Sequence, residues 1–264
     1  MSHPAYGVLR PVIETESLTA SVLLCDNRGI MTLDGTNTWV LRAPGSDELV
    51  VVDPGPDDSA HIDRLAALGT VSLVLISHRH GDHTDGIDTI VGATGATVRA
   101  VGSGFLGGLG GRARDGGGVG AAGVRITVMA TPGHTADSVS FVVDGAVLTG
   151  DTVLGRGTTV IDDEDGSLAS YLDSLRRLHG LGRLAVLPGH GPDLDDIQAV
   201  STMYLAHREE RLEQVRQALR VLGEAASARQ VVAHVYTDVD EKLWDAAEKS
   251  VRAQLDYLLG ASRR

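Results

Sequence analysis

The stretch ISHRHGDHTDG, residues 76–86, decides how this chain is read. His78, His80, Asp82 and His83 fall within six residues of one another. Imidazole and carboxylate are the side chains that hold first-row divalent metals such as zinc. The chain carries ten histidines among 264 residues, so three in so short a window is not what composition alone would produce. The cluster follows a near-continuous apolar run, Val71-Ser72-Leu73-Val74-Leu75-Ile76. A run of that length without polar alternation reads as a strand buried on both faces. Open sheets place their sites just beyond such strand ends.

Further ligand types recur in the same setting, past a short apolar segment and beside glycine. Val124-Arg125-Ile126-Thr127-Val128-Met129 runs into TPGHT, which contains His134; Ala146-Val147-Leu148 runs into TGD, which contains Asp151. Leu184-Ala185-Val186-Leu187 runs into PGHG, which contains His190. Glycine next to a ligand lets the backbone turn sharply without a Cβ clash. Residues i and i+2 of an extended loop point the same way, so His78 and His80 can grip one ion. Asp82 and His83 stand where a helix over 83–91 should begin, facing a second position. His134 then completes the first shell, His190 the second, and Asp151, with two carboxylate oxygens, bridges them. Two metals about 3.5–4 Å apart generate hydroxide near neutral pH and clamp the attacking and leaving oxygens. The expected chemistry is hydrolysis by a hydroxide shared in the gap, with Asp82 also orienting it or taking its proton.

HRHGDH (78–83), TPGHT, TGD and PGHG together resemble the motif set of the metallo-β-lactamase fold hydrolases. MTLDGTNTW (31–39), VVDPG (51–55), GDTVLGRGTTV (150–160) and HREERLEQV (207–215) resemble the beta-lactamase-like protein 2 branch in particular. The resemblance implies an α/β fold, a four-layer αββα sandwich with a C-terminal helical, winged-helix-like appendage. It implies two Zn2+ ions, with Mn2+ or Fe as alternatives, one on His78, His80 and His134 and the other on Asp82, His83 and His190, bridged by Asp151. It also implies cleavage of single-stranded RNA, the activity of the animal member. Flavin-linked di-iron relatives have a glutamate where His80 stands, which favours a hydrolase here. The sole cysteine, Cys25, precedes every ligand motif, so the β-lactamases with a cysteine ligand match poorly.

Composition sets bounds on partners. The net charge is −12, and residues 195–264 carry ten Lys/Arg against twelve Asp/Glu, a net of −2, which leaves −10 for the remainder. Non-specific binding of a polyanion needs many basic contacts, so no duplex DNA is expected. Arg79, Arg112, Arg114 and Arg156 could still form a local patch near the site. No apolar stretch approaches the roughly 20 residues of a membrane span, and MSHPAYGVLRPV lacks a secretory pattern. A single cysteine suits a reducing cytoplasm. Only Lys242 and Lys249 are lysines while arginine, alanine and glycine abound, as in a GC-rich bacterial coding sequence.

Along the chain, short strands fill the first fifty residues and Val50-Val51-Val52 ends at Asp53. A helix capped by Asp57 or Asp58 should end at Gly69. A strand near 97–101 follows, then three strands leading to Asp151 and a helix over 167–179. Eleven glycines crowd residues 102–123, too flexible for a helix or core strand and without the order of a nucleotide phosphate loop. Such a stretch reads as a surface insertion or a flap. Beyond Pro192 the pattern turns helical: Ile197, Val200, Tyr204, Leu212, Val215, Leu219 and Leu222 form one stripe, and shorter helices over 228–236 and 243–259 follow. The division is a catalytic domain, 1–193, and a helical domain, 194–264.

Other residues carry weaker readings. Asp53 would orient a ligand histidine or serve structure, and Asn37 and Thr38 would line the mouth of the site or close a turn. Thr158 and Thr159 sit in a loop that could touch substrate. His207 has the setting of a helix-packing residue, and His3, His61, His179 and His234 show no ligand context. Three functions remain: an endoribonuclease, a thioester, lactone or β-lactam hydrolase resembling glyoxalase II, and a metal-containing binding protein without catalysis. The partners are accordingly single-stranded RNA or a small ester or thioester, with no membrane and an open number of subunits.

Overall fold

Two sheets pack face to face between layers of helix. The computed structural model describes residues 6–101, 114–162, 164–237, 240 and 244–262. The first sheet pairs β1 (Arg10–Glu14), β2 (Thr19–Leu24), β3 (Asn37–Arg42), β4 (Glu48–Val52), β5 (Thr70–Leu75) and β6 (Thr97–Arg99) in chain order. The first four are antiparallel neighbours, while β4, β5 and β6 run parallel. Parallel neighbours need a crossover, supplied by α1 (Ser59–Ala66), then by the short α2 (Gly81–Thr84) and α3 (Ile87–Thr94). The second sheet contains β7 (Gly118–Ala121), β8 (Val124–Ala130), β9 (Val139–Val143), β10 (Ala146–Gly150) and β11 (Ala185–Pro188), in the order β11-β10-β9-β8-β7. Its parallel pair, β10 and β11, is joined through α4 (Leu168–His179).

The apolar runs explain the layers. In β4, Val50 and Val52 enter the core between the sheets, while Leu49 and Val51 face α1 and α3 beside Ile62, Leu65 and Ile90. A strand covered on both faces has no polar side to display, hence its unbroken apolar sequence. From the second sheet, Ile126, Phe141 and Leu148 fill the shared core against Trp39 and Leu75. Phe141 is fully buried, and cutting such a ring back to alanine costs about 3–5 kcal/mol. Tyr171, Leu175 and Leu178 of α4 cover the outer face of the second sheet. Helices α1 and α4 start where a side chain satisfies their free N–H groups. Asp58 caps α1 through Ala60 N and His61 N at 2.9 and 3.2 Å, and Ser167 caps α4 through Ser170 N at 3.3 Å.

Two expectations are corrected. The helix over 83–91 is broken: α2 stops at Thr84, and α3 starts at Ile87. Gly86 N leaves the helical ladder to bond Gly55 O at 3.0 Å, which ties the break to the turn after Asp53. Within the glycine-rich stretch, residues 102–113 lie outside the described ones, yet 118–121 form the edge strand β7, paired with β8. Backbone pairing needs no side chain, and Val119, 5% exposed, is enough to anchor that edge in the core.

The tail is built on α5 (Ile197–Leu222), a helix of 26 residues, with α6 (Ala228–Val235) and α7 (Trp244–Ser262) packed on its second half. Ile197, Tyr204 and Leu212 of α5 join the core over the second sheet, whereas Val215 and Ala218 join a separate cluster with Val231, Val232 and Val251. One helix therefore serves both cores. Leu243, expected to open the last helix, lies outside the described residues.

His61, read as ordinary, is 1% exposed on α1, with its Nε2 2.9 Å from Thr38 Oγ1 and no partner for its Nδ1 among the described residues. Burial holds its pKa down to about 4, against an ordinary 6.5. The unfolded chain therefore takes up a proton on this ring from about pH 6.5 downward, while the folded chain refuses it until about pH 4. Stability from this group is full above pH 6.5 and falls through that window by on the order of 3 kcal/mol. In urea unfolding, His61→Gln should be less stable than the parent at pH 7 yet lose less between pH 6.5 and 4. Parallel losses in the two proteins would exclude His61 as the cause.

Candidate metal centre

Strand ends from both sheets deliver the ligand types to one edge. β4 ends at Asp53, β5 at Ser77 and His78, β10 at Asp151, and β11 at the turn holding His190. Asp53 adopts a left-handed backbone, φ 56°, a conformation most residues avoid. That twist aims its carboxylate at three donors: Ser77 N at 2.7 Å, Ser77 Oγ at 2.6 Å and His83 Nδ1 at 3.0 Å. Ser77 Oγ in turn lies 2.9 Å from His78 Nδ1.

The other rings are held from behind in the same manner. His134 Nδ1 is 2.6 Å from Val160 O, and His190 Nδ1 is 3.1 Å from Gly35 O. With Nδ1 engaged, the Nε2 atoms of His78, His83, His134 and His190 turn inward. His80 faces the other way round, with Nδ1 inward and Nε2 3.4 Å from Asp162 Oδ2. Fixing the outer nitrogen sets the tautomer and direction of a ligand imidazole.

Inside, the spacing fits two small cations. His80 Nδ1 lies 3.0 Å from His78 Nε2 and 3.1 Å from His134 Nε2. His190 Nε2 lies 3.2 Å from His83 Nε2, 3.1 Å from Asp82 Oδ2 and 3.4 Å from Asp151 Oδ2. Donors about 2.0–2.2 Å from a tetrahedral ion stand about 3.3–3.6 Å apart. Three groups have potential ligand atoms mutually within 4.8 Å: His78, His80 and His134; Asp82, His83 and His190; and Asp151 with His78 and His83, one residue from each triad. Asp151 Oδ1 is buried without a hydrogen-bond partner among the described residues, an orphan that a cation would satisfy. All seven sequence-predicted residues are together at this edge.

Charge points the same way. Burial opposes a charge on His190, but Asp151 and Asp82 outweigh it and push the ring up to about 11. His83 is likewise raised, Asp151 and Asp53 overcoming burial. Burial disfavours the ionised form of Asp151, yet His190 and His83 hold that carboxyl well below its usual range. His78 and His134 are lowered, chiefly by burial, which keeps their lone pairs free. Cations entering here would displace protons from His83 and His190.

The weaker candidates divide. Asn37 closes a turn: its Nδ2 donates to Pro188 O at 3.0 Å and Gly191 O at 2.8 Å, holding the His190 turn, where Trp39 Nε1 also donates to Pro188 O at 3.0 Å. Thr38 points to His61 instead of the mouth. Thr159 Oγ1 donates to Asp151 O at 2.8 Å, a support for that ligand's backbone. Of the four arginines suggested as a patch, Arg79 pairs with Asp162, Glu164 and Asp165, and Arg156 pairs with Asp34, so those two charges are compensated, while Arg114 is exposed and Arg112 lies outside the described residues. Sequence reasoning missed Ser77, Thr36 and Asp162. Thr36 Oγ1 reaches Asp82 Oδ2 at 3.4 Å, and only its place in the 31–39 motif hinted at a role. Cys25 is buried, its thiol pushed up to about 12 mainly by burial.

Paired mixed sheets with helices outside, and a histidine–aspartate cluster where the strands end, define a class of metal-dependent hydrolases. The chain matches the model of the Metallo-beta-lactamase superfamily over residues 31–190 and that of the Beta-lactamase associated winged helix domain over residues 227–259, and it belongs to the metallo-beta-lactamase superfamily. It is 30% identical over 271 residues to the Beta-lactamase-like protein 2 homolog of Caenorhabditis elegans, covering 93% of this chain and 86% of that one. It is 33% identical over 218 residues to Lactamase-like protein adaB of Aspergillus niger, covering 79% of this chain and 66% of that one. A Beta-lactamase domain protein from Burkholderia ambifaria shares the fold, with TM-score 0.81 at 22% identity, over 98% of this chain and 91% of that one.

Two substitutions test this geometry. Asp53→Ala leaves His83 and Ser77 without their anchor, and zinc affinity by chelator competition should fall about 10–100-fold. A Cβ on Gly189 would overlap Asp151 Oδ1 and stand 2.8 Å from His83 Cε1. Gly189→Ala should therefore lower the bound metal per chain, read by elemental analysis, while the circular dichroism stays that of the parent.

Proposed function

We propose that this chain is a binuclear metal-dependent hydrolase with zinc in both positions, Mn2+ or Fe being the alternatives, and that its substrate is single-stranded RNA. The observation that carries the binuclear reading is the pair of donor triads with Asp151 set between them. His78, His80 and His134 would hold one ion, Asp82, His83 and His190 the other. When bound, such ions supply Lewis acidity toward the substrate oxygen and acidify water toward neutral pH. Asp53 and Ser77 keep the rings of His83 and His78 aimed inward. The Asp82 side chain, 28% exposed against 12% for Asp151, is the cluster's carboxylate with access to the open side. Its role is to hold the proton that the attacking water gives up.

RNA is supported by the resemblance of residues 31–39, 150–160 and 207–215 to the branch whose animal member cleaves it. The net charge of −12 favours a second reading, a small ester, thioester, lactone or β-lactam substrate. Residence in the bacterial cytoplasm belongs to the same proposal, supported by one buried free cysteine and the scarcity of lysine. Among the described residues no helix is long and apolar enough to cross a membrane.

The test is a panel of single-stranded RNA, acyl thiols, lactones and β-lactams, given to zinc-loaded and chelated protein. Cleavage of RNA that chelation abolishes and zinc restores is expected, with at least a 100-fold loss in His134→Ala. Turnover of an acyl thiol that RNA does not compete with would establish the second reading instead. Full activity in His134→Ala would remove the metal assignment, and a panel with no metal-dependent turnover would leave the non-catalytic binding protein.

A further inference from the structure

A second group of cations stands where the tail meets the sandwich. Arg208 is 3% exposed, with its guanidinium 5.0 Å from the Tyr171 ring centroid and Nη2 donating to Thr159 O. Its Nε is buried without a partner among the described residues. Arg211, one helical turn on, lies 5.1 Å over the Tyr236 ring and donates from Nη1 to Gln214 Oε1 at 2.8 Å. Among the described residues neither arginine forms an ion pair with a carboxylate. Their neighbours do: Arg216 with Glu209 and Glu213, Arg220 with Glu213, and Arg252 with Glu248. A buried guanidinium without a counter-charge is expensive, and a fold keeps one where something else supplies the anion.

Space for that anion is present. A cavity of about 200 Å³ is lined by Thr158, Val160, His207, Arg208, Arg211 and Gln254 among others, with no carboxylate in its wall among the described residues. Two further atoms in this wall, His207 Nδ1 and Gln254 Oε1, are buried without partners among the described residues. A half-turn of the Gln254 amide exchanges its oxygen for a donor. Burial first, then Arg208 and Arg211, keep the His207 ring below its ordinary pKa, while Glu210 acts the other way, so the local field is positive. The cavity also backs onto the metal edge. In the segment 158–160, Thr159 Oγ1 supports Asp151 O at 2.8 Å, and Val160 O holds His134 Nδ1 at 2.6 Å.

We propose that this cavity is a subsite for one phosphate group of the substrate, received by Arg208, Arg211, His207 and the Gln254 amide. Guanidinium forks match a tetrahedral oxyanion, whose several acceptor oxygens can use donors from more than one side. A carboxylate keeps both oxygens in one plane, whereas the oxygens of a phosphate spread tetrahedrally toward donors on several sides. The subsite deepens the hydrolase reading and rests on it for the word substrate; the binding of phosphate does not. The phosphate belongs either to an RNA backbone or to a small phosphate ester.

Inorganic phosphate titrated by calorimetry into the full chain, before and after chelation, tests the site without turnover. Saturable binding that survives chelation is expected, weakened at least fivefold in Arg211→Gln and in His207→Gln, with acetate bound at least tenfold more weakly. Arg208→Met is avoided as the deciding variant because Arg208 also holds Thr159 O. Absence of binding in the chelated, folded chain, parental affinity retained in either variant, or acetate binding as tightly as phosphate would each overturn the proposal. With turnover in hand, Arg211→Gln should reduce the KM advantage of a phosphorylated ester over its unphosphorylated form, or raise KM for RNA whether or not its 5′ end is phosphorylated. The first outcome identifies a small phosphate ester and the second a backbone phosphate. KM values that shift in neither comparison would also overturn the proposal. If phosphate binds as expected while no substrate is hydrolysed, the hydrolase reading fails alone.

Discussion

One buried carboxylate organises the functional edge. Asp53, 2% exposed and held in a left-handed backbone, accepts from Ser77 N, Ser77 Oγ and His83 Nδ1. Through these contacts the end of β4 is tied to the end of β5 and to the short helix α2. His78 is brought in through Ser77, and Gly86 bonds back to the turn at Gly55, so the first ligand motif has little freedom left. A buried carboxylate persists only where its oxygens are satisfied. Here that requirement is met by the groups that orient the ligand rings, so fold stability and site geometry become one constraint.

The second sheet contributes by the same means, through backbone instead of a carboxylate. Val160 O and Gly35 O hold the outer nitrogens of His134 and His190, and the side chains of Asn37 and Trp39 pin the turn before His190. Crowding at this edge is severe enough that glycine is required. A side chain on Gly150 would stand 2.6 Å from Ser77 Oγ, and one on Gly189 would press on Asp151. The metal edge is therefore a meeting of two sheets, and neither sheet alone carries both triads.

Charge is distributed with the same selectivity. The acidic chain pairs many of its surface arginines with carboxylates, Arg79 and Arg156 included, so total charge says little about any one cleft. Arg208 and Arg211, which form no ion pair with a carboxylate among the described residues, sit in the angle between α5 and the 158–160 segment. In the sequence they lie between members of the apolar stripe of α5, within the motif 207–215. Only the fold reveals that they face the sandwich.

The ligand types, their order and their strand-end setting were legible in the sequence, because a strand covered on both faces needs an unbroken apolar run and a sharp turn beside a ligand needs glycine. The cap of α1, the span of α4 and the stripe of α5 were legible for the same local reason. The break between α2 and α3, the pairing of Gly118–Ala121 as an edge strand and the role of Thr38 were not. Two are set by a partner distant in the chain, Gly55 for Gly86 and His61 for Thr38; β7 pairs with the neighbouring β8 across a tight turn, and its anchor is the distant core that buries Val119. Local sequence determines what a segment can do. Tertiary structure decided which imidazole nitrogen faces inward and which arginines pair with carboxylates, since hydrogen bonds and Coulomb forces act over a few ångströms in space, whatever the separation along the chain.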